Sequence, residues 1–142
     1  MAGAEGKDNR MTATPPRSLL IVDDDPRNRK LLETLLVADG YAVRSCDSGA
    51  AALRSVAERL PDAILLDVMM PGMDGFEVAR RLKADPAACE IPLLMVTALD
   101  DEASRQRLAA AGIAHVLTKP VDRWHLKARL AALFGGTGDE RA

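Results

Sequence analysis

Residues 63–75 read AILLDVMMPGMDG, an apolar run that meets a single carboxylate at Asp67 and leaves through a loop rich in turn residues. A short apolar run bounded by proline and glycine is typical of a buried strand in a parallel sheet. Such sheets place their functional residues just beyond the carboxyl ends of the strands, and Asp67 occupies that position. On this stretch alone, Asp67 is a structural cap, a metal ligand or a nucleophile.

The composition fits one soluble folded domain. The chain has 142 residues, of which 48% are apolar and 28% charged, and its formal net charge is −2. This composition excludes wholesale disorder and gives no reason to expect nucleic acid or an anionic membrane as a direct partner. No apolar run is long enough for a membrane span or a signal core, and Cys46 and Cys89 lack metal-ligand spacing. Free thiols and a cytoplasmic location are therefore predicted.

The two ends of the chain differ from its middle. Residues 1–17 are small and polar without periodicity, and residues 135–142 read GGTGDERA. We predict a disordered leader over 1–17, one folded domain over 18–134 and a disordered tail over 135–142.

A second acidic position follows the first apolar run, residues 19–22. That run ends in Asp23, Asp24 and Asp25, and Pro26 comes next. Proline favours the first position of a helix, which makes Asp25 the predicted helix cap. Asp23 and Asp24 are then left in the turn between strand and helix, at the end of the sheet.

The remaining segments alternate between strand and helix patterns. Further strands are predicted over 41–46, 93–97 and 115–118. Each strand is followed by a helix, and the predicted inward residues of the later helices are Leu53, Val56, Ala57 and Leu60, then Phe76, Ala79 and Leu82, and finally Leu126, Leu130 and Leu133. Five strands alternating with five helices predict an α/β fold, a flavodoxin-like doubly wound (βα)5 sandwich with parallel strand order 2-1-3-4-5. This order places Asp23 and Asp24 beside Asp67.

The helix over about 100–111 differs from the other four. Its one large apolar residue is Leu108, and the rest of its apolar content is alanine. A helix that buries so little is held weakly and can shift at low cost.

The polar residues at the strand ends form a chemically coherent set. Three converging carboxylates repel one another, and a divalent cation relieves that repulsion; magnesium, which prefers oxygen ligands and keeps several waters, suits the site. Thr97 and Lys119 end two other strands and would add a hydroxyl and an ammonium. A carboxylate surrounded by a metal, a hydroxyl and an amine is suited to phosphoryl transfer, with the carboxylate as nucleophile.

Four motifs in this order resemble the receiver domain of two-component response regulators, similar to the chemotaxis regulators. They are LLIVDDD, LLDVMMPGMDG, MVTA and LTKP, and the resemblance covers about residues 17–134. The resemblance implies that Asp67 accepts a phosphoryl group in a magnesium-dependent reaction. It also implies that Asp24 binds the metal directly, Asp23 binds it through a water, and the backbone carbonyl of Met69 is a further ligand.

The resemblance assigns the switch residues as well. Lys119 would bridge to the acyl phosphate, Thr97 would move towards it, and Ala98 would leave the site open. The peptide between Lys119 and Pro120 is expected to be cis. Receivers usually carry an aromatic residue three positions before this lysine, and here the residue is Val116, so the aromatic part of the coupling is missing.

Hydrolysis of the acyl phosphate is expected to be slow. The residues two after Asp67 and two after Thr97 tune hydrolysis in this family, and here they are Met69 and Leu99. Neither side chain can orient an attacking water.

The leading interpretation is a signalling switch that catalyses only its own phosphorylation and dephosphorylation. The implied partners are a histidine kinase or a histidine phosphotransfer protein, and the output face is formed by the helix near 100–111, the strand 115–118 and the last helix, which could also pair as a homodimer. Trp124 lies off the buried stripe of that last helix and is a candidate contact residue.

Two alternatives remain open. The chain could be a dimerisation or regulatory module excised from a longer protein, such as a cyclic-dinucleotide enzyme. It could also be an aspartate-nucleophile phosphatase of the haloacid dehalogenase type, although that family places a second aspartate where this chain has Met69.

Overall fold

The computed structural model describes residues 15–98 and 101–135. Within them, five strands alternate with five helices. The strands are β1 Ser18–Val22, β2 Ala42–Cys46, β3 Ala63–Asp67, β4 Leu93–Thr97 and β5 His115–Thr118. The helices are α1 Pro26–Ala38, α2 Gly49–Glu58, α3 Gly75–Ala84, α4 Glu102–Ala110 and α5 Arg123–Leu133.

The five strands form one parallel sheet in the order β2-β1-β3-β4-β5. The predicted flavodoxin-like order is confirmed. Along β1 and β3, Val22 pairs with Leu66, so Asp23, which follows β1, and Asp67, which ends β3, lie side by side at one edge of the sheet. Asp67 pairs with Val96, which places Thr97 one residue further along the neighbouring strand.

Each face of the sheet carries its own core, because alternate strand residues point to opposite sides. Helices α2, α3 and α4 cover one face, and helices α1 and α5 cover the other. The first core contains Leu20, Val22, Ile64, Leu66, Met95, Val56, Val78, Leu82 and Leu108. The second contains Leu19, Ile21, Leu65, Leu94, Val96, Leu32, Leu36, Leu126, Leu130 and Leu133. The inward faces predicted for the last helix and for α3 are confirmed, with Phe76 only half-buried.

A side-chain oxygen caps the start of each helix in the described part of the chain. The capping residues are Asp25, Ser48, Asp74, Asp101 and Asp122, and each accepts a backbone N–H from the first turn. The caps predicted at Asp25 and Asp74 are confirmed. Such caps satisfy N–H groups that have no partner within the helix, and they fix where the chain turns away from the sheet edge.

The predicted inward face of α2 is partly wrong. Val56 is buried and Leu53 is half-buried, as expected, but Ala57 and Leu60 are exposed. The helix ends at Glu58, so Leu60 lies beyond it, and the buried stripe runs instead through Gly49, Ala52 and Val56. A glycine at the first helical position lets α2 approach α3 closely; a Cβ built on Gly49 would lie 2.7 Å from a methyl group of Val78.

Helix α4 buries little apolar surface, as predicted, and Leu108 is its only buried residue. Most of the predicted leader and tail lie outside the described residues, as does Leu99. Among the helices that the structure describes, none has the length and apolarity needed to cross a membrane.

Candidate functional site

Three carboxylates meet where β1 and β3 end. Each of Asp23, Asp24 and Asp67 offers an oxygen atom, and these atoms lie within 4.8 Å of one another. Asp23 and Asp67 are buried, whereas Asp24 is exposed. The convergence that the strand order predicted is present, and it follows from the side-by-side position of β1 and β3 at the switch point of the sheet.

Asp23 is the most constrained of the three carboxylates. Its Oδ1 accepts the backbone N–H of Asp25 at 2.9 Å, and its Oδ2 accepts a bond from the side-chain amide of Asn28. The guanidinium of Arg29 donates to its backbone carbonyl at 2.8 Å. The first turns of α1 therefore hold Asp23 in one orientation.

Lys119 joins the two buried carboxylates. Its Nζ lies 3.3 Å from Oδ2 of Asp23 and 3.3 Å from Oδ1 of Asp67. The backbone N–H of Lys119 donates to the carbonyl of Thr97 at 2.8 Å, which ties the turn after β5 to the end of β4. The peptide between Lys119 and Pro120 is cis, as the sequence predicted.

Opposing effects set the pKa of the Asp67 carboxyl group. Burial raises the pKa of its carboxyl group, the neighbouring carboxylate of Asp23 raises it further, and the Lys119 ammonium and the Met69 amide lower it, which leaves a pKa of about 6. Burial also lowers the pKa of Lys119, but the adjacent carboxylates of Asp67 and Asp23 outweigh it and raise that pKa. Near neutral pH, Asp67 is thus mostly an ionised carboxylate beside a charged lysine.

The loop after Asp67 is packed tightly against the end of β3. The N–H of Met69 points to Oδ1 of Asp67 at 3.4 Å, while the Met69 side chain is 61% exposed. Gly75, the first residue of α3, donates to the carbonyl of Val68 at 2.9 Å, and a Cβ at this position would lie 2.4 Å from the carbonyl oxygen of Asp67. Only glycine permits this approach, so the start of α3 is fixed relative to Asp67.

The remaining predicted residues lie on the two outer strands. Thr97 is fully buried at the end of β4, next to the strand that carries Asp67. Ala98 is exposed, and Val116 is half-buried within β5. The predicted site residues that the structure describes therefore lie at or beside one edge of the sheet.

Two residues of the site are missing from the sequence-based prediction. Asn28 and Arg29 hold Asp23 from the first turn of α1, yet neither is among the predicted site residues. The available signal was the sequence DDDPRNR. Because Pro26 fixes the start of the helix, polar residues two and three positions later lie above the acidic turn.

The donor set fits a hard divalent cation. Carboxylate oxygens are the ligands that magnesium prefers, and the exposed Asp24 leaves one side of the cluster open for the waters that this ion retains. A cation there would also offset the repulsion among three carboxylates that Lys119 neutralises only in part.

Comparison with characterised proteins identifies the family. A family model described as the response regulator receiver domain matches residues 19–131. Over 115 residues the chain is 48% identical to the response regulator PleD of Caulobacter vibrioides, a match that covers 81% of this chain and 25% of PleD. The chain thus spans about a quarter of that relative's length.

Solved structures give the same assignment. The chemotaxis protein CheY4 of Vibrio cholerae superposes with a TM-score of 0.79 at 29% identity, covering 83% of this chain and 98% of that one. The receiver domain of the sensor histidine kinase PA1611 of Pseudomonas aeruginosa, solved with a magnesium ion coordinated in its active site cleft, has a TM-score of 0.78 at 30% identity and covers 85% and 99%. With its strand order, its acidic cluster and these matches, the chain belongs to the response regulator receiver domain family of two-component systems.

Proposed function

We propose that this chain is a phosphate-accepting switch that takes a phosphoryl group onto Asp67 from a phosphohistidine. The donor would be a histidine kinase or a histidine phosphotransfer protein. The observation that carries the proposal is Asp67 itself, a buried carboxylate that stays ionised near neutral pH because Lys119 lies 3.3 Å away.

The chemistry is a direct displacement at phosphorus. A carboxylate oxygen of Asp67 attacks, the phosphorus–nitrogen bond of the phosphohistidine breaks, and its electron pair returns to the imidazole of the donor. Lys119, already in contact with Asp67, would remain paired with the acyl phosphate and neutralise its added charge. Catalysis would be limited to the chain's own phosphorylation and dephosphorylation.

The acidic cluster would hold magnesium, which supplies positive charge to the phosphoryl oxygens when bound. Asp24, Asp67 and the Met69 carbonyl would be direct ligands, and Asp23 would act through a water. The burial pattern supports this division, since both oxygens of Asp23 already accept bonds from Asp25, Asn28 and Lys119, whereas Asp24 is exposed.

The output would travel through Thr97 to the face formed by α4, β5 and α5. Thr97 ends the strand beside Asp67, and its carbonyl is bonded to the backbone of Lys119. A shift of the Thr97 side chain towards the phosphoryl group would act on α4, whose only buried residue is Leu108. Partner binding, or pairing of two copies, at this face would then favour one of two pre-existing states.

The test is incubation with magnesium and a small phosphodonor, followed by intact mass measurement. The wild type should gain the mass of one phosphoryl group, and Asp67→Asn should gain none. Asp62→Asn is the matched control, because Asp62 lies at the opposite end of the same strand, where it accepts the N–H of Ser18. Equal mass gain in wild type and Asp67→Asn would overturn the assignment.

A second candidate is a receiver that regulates a longer protein. It is favoured by the match to PleD, of which the aligned region is only a quarter. In that case the same phosphorylation would control a neighbouring domain, directly or by dimerisation. Detection of the protein in extracts of its source cells with a specific antibody would distinguish the two, since a regulator of this length and a multidomain protein differ several-fold in mass.

The aspartate-nucleophile phosphatase is not retained as a candidate. Family membership favours a phosphoacceptor over a hydrolytic enzyme. At the position where such a phosphatase needs its second aspartate, this chain has an exposed methionine, Met69, which cannot protonate a leaving group.

A further inference from the structure

A basic groove runs between α3 and α4, outside the acidic site. It encloses about 770 Å³, and its floor includes the half-buried side chains of Met73 and Phe76. We call it the α3–α4 groove. A groove of this volume with an apolar floor is in the size range of binding sites.

The charge of the groove is opposite to that of the chain. Its lining carries four basic residues, Arg80, Arg81, Lys83 and Arg107, and two acidic ones, Asp74 and Glu77, an excess of two positive charges. The whole chain has a formal net charge of −2. The basic residues are therefore concentrated here against the overall balance, which favours an anionic occupant.

The arginines of the groove are held in place before any partner binds. Glu77 accepts bonds from Nε and Nη2 of Arg80 at 3.0 and 2.6 Å, and from Nε of Arg81 at 2.7 Å. The guanidinium of Arg107 lies over the ring of Phe76, 3.9 Å from its centre. Side chains that are already ordered lose less conformational entropy on binding, so this arrangement suits recognition of carboxylates.

We propose that the α3–α4 groove binds an acidic, amphipathic peptide segment of a partner protein. Positive groups stand on both walls, with Arg80, Arg81 and Lys83 on α3 and Arg107 on α4, so a segment lying along the groove meets charge on either side. Its apolar side chains would contact Met73 and Phe76. Its glutamates or aspartates would pair with the outward ends of the arginines and with Lys83.

The groove is mechanically connected to Asp67. Its floor includes residues 72–74, and the next residue, Gly75, is pressed against the carbonyl of Asp67. Its other wall is α4, whose only buried residue is Leu108. If the proposed phosphorylation of Asp67 shifts α4, occupancy of the groove and phosphorylation must affect each other reciprocally; this coupling, unlike binding itself, rests on the proposed function.

Binding is tested without phosphorylation, by fluorescence anisotropy of the full chain with a chelator present and no phosphodonor. The probe is a fluorescein-labelled peptide of alternating glutamate and leucine pairs, about twelve residues long. The double variant Lys83→Glu with Arg107→Glu should weaken binding by about tenfold or more. The control Lys127→Glu with Arg129→Glu makes the same charge change at two exposed residues of α5, which do not line the groove, and should leave the affinity within about twofold.

Three outcomes would overturn the proposal. They are absence of binding at low salt, equal loss of affinity in the α5 control, and tighter binding of a single-stranded oligonucleotide through the same residues, which would indicate nucleic acid instead. Circular dichroism of both double variants shows whether they are folded. If the groove variant is not, the single variant Lys83→Gln replaces it and should still weaken peptide binding; if the α5 control is not, Lys127→Gln replaces it and should leave peptide binding unchanged.

The coupling has a separate readout. Saturating peptide should change the rate at which the wild type gains a phosphoryl group, while Asp67→Asn should bind the peptide as well as the wild type does. Peptide binding with no change in that rate would remove the coupling and leave the binding site. No phosphorylation at all, with binding intact, would contradict the proposed function and not the groove.

Discussion

The carboxylate of Asp67 is buried at the sheet edge and yet has to be ionised to act as a nucleophile. Burial and the neighbouring Asp23 favour its neutral form, and Lys119 opposes them. The result is a pKa of about 6 instead of 3.8, so the folded protein binds this proton more tightly than the unfolded chain does. Keeping Asp67 ionised therefore lowers the free energy of unfolding at pH values above this pKa.

This loss of stability predicts that Asp67→Asn stabilises the protein at pH 7.5 in the absence of divalent cations. In the wild type, the free energy of unfolding should decrease as pH rises from about 4 to about 6, because the folded state must give up the proton that it holds more tightly. The variant should lack this contribution and be more stable at pH 7.5 by about 1–2 kcal/mol. Urea denaturation followed by circular dichroism, with chelator present, measures the difference. Asp62→Asn serves as control, and a variant less stable than the wild type would contradict the prediction.

A second prediction concerns Asn28 and the affinity for magnesium. Its amide holds Oδ2 of the buried Asp23, so Asn28→Ala frees a carboxylate that helps to organise the acidic cluster. We expect the affinity for magnesium to fall by about tenfold, as for other residues that orient a ligand. Lys30→Ala, on an exposed position of the same helix, should leave it unchanged. Calorimetric titration measures both, and equal affinities in the two variants would limit Asn28 to a structural role.

A third prediction concerns Met69 and the lifetime of the phosphorylated state. Its side chain is exposed beside Asp67 but has no group that can orient water. Met69→Asn should therefore accelerate loss of the phosphoryl group by about fivefold or more, because a positioned amide can hold the attacking water. Met69→Leu is the matched control and should decay like the wild type. Intact mass followed over time, without a phosphatase, gives the rates; a fast wild type would refute the expectation of a slow switch.

At this scale the sequence predicted which residues meet but not how each is held. Asp23, Asp24, Asp67 and Lys119 follow strand patterns, and parallel strand ends must share an edge, so their convergence was predictable. The bonds from Asn28 and Arg29 to Asp23 depend on side-chain conformations in the first turns of α1. Periodicity contains no information about those.

At the scale of elements, α3 and α4 differ in how firmly they are attached. Helix α3 buries Gly75, Val78, Ala79 and Leu82, whereas α4 buries Leu108 alone. The apolar area removed from water sets most of the free energy that holds a surface helix to the sheet. Helix α4 is accordingly the element that can shift most cheaply.

This difference predicts the pattern of amide hydrogen exchange. Backbone amides of α4 should exchange faster than those of α3 under native conditions, because opening α4 exposes little apolar surface. Leu108→Ala should lower the free energy of unfolding by about 2–4 kcal/mol and further increase exchange within α4. Leu82→Ala is the control, with a comparable loss of stability whose effect on exchange should centre on α3. Mass spectrometry of peptic fragments reports both, and equal protection of α3 and α4 in the wild type would be inconsistent with this view.

Element boundaries were predicted well where a specific residue sets them. Asp25 and Pro26 mark the start of α1, and Asp74 marks the start of α3. These starts were predictable because capping bonds and the fixed proline backbone act within a few residues. The inward face of α2 was wrong by a rotation, since Ala57 and Leu60 had the right spacing but the helix ends at Glu58. The close approach of Gly49 to Val78 of α3 is a tertiary contact that spacing does not encode.

At the scale of the whole molecule, a single sheet links two cores. The two faces share every strand, so neither core can lose its packing while the other keeps an intact sheet. This arrangement favours one cooperative unfolding transition. The domain therefore extends as far as the terminal residues that still contact the sheet or its helices.

Arg17 is such a residue, although we placed it in the leader. Its carbonyl accepts the N–H of Ala42 at 3.0 Å, and its guanidinium lies 4.1 Å from the centre of the Phe134 ring, which stacks in turn on Tyr41. A hydrogen bond and a cation–π contact at one end of the sheet hold together the first and last parts of the chain that the structure describes.

We therefore predict that a fragment of residues 17–135 unfolds in one transition, with a free energy of unfolding within about 0.5 kcal/mol of the whole chain. A fragment that starts at Ser18 should be less stable by about 1–2 kcal/mol, because it loses both contacts of Arg17. Arg17→Ala in the whole chain keeps the carbonyl and loses only the ring contact, so its loss should be intermediate. Thermal and urea denaturation of the four proteins measures the series. Two transitions in the longer fragment, or equal stability of the two fragments, would show that the domain boundary lies elsewhere.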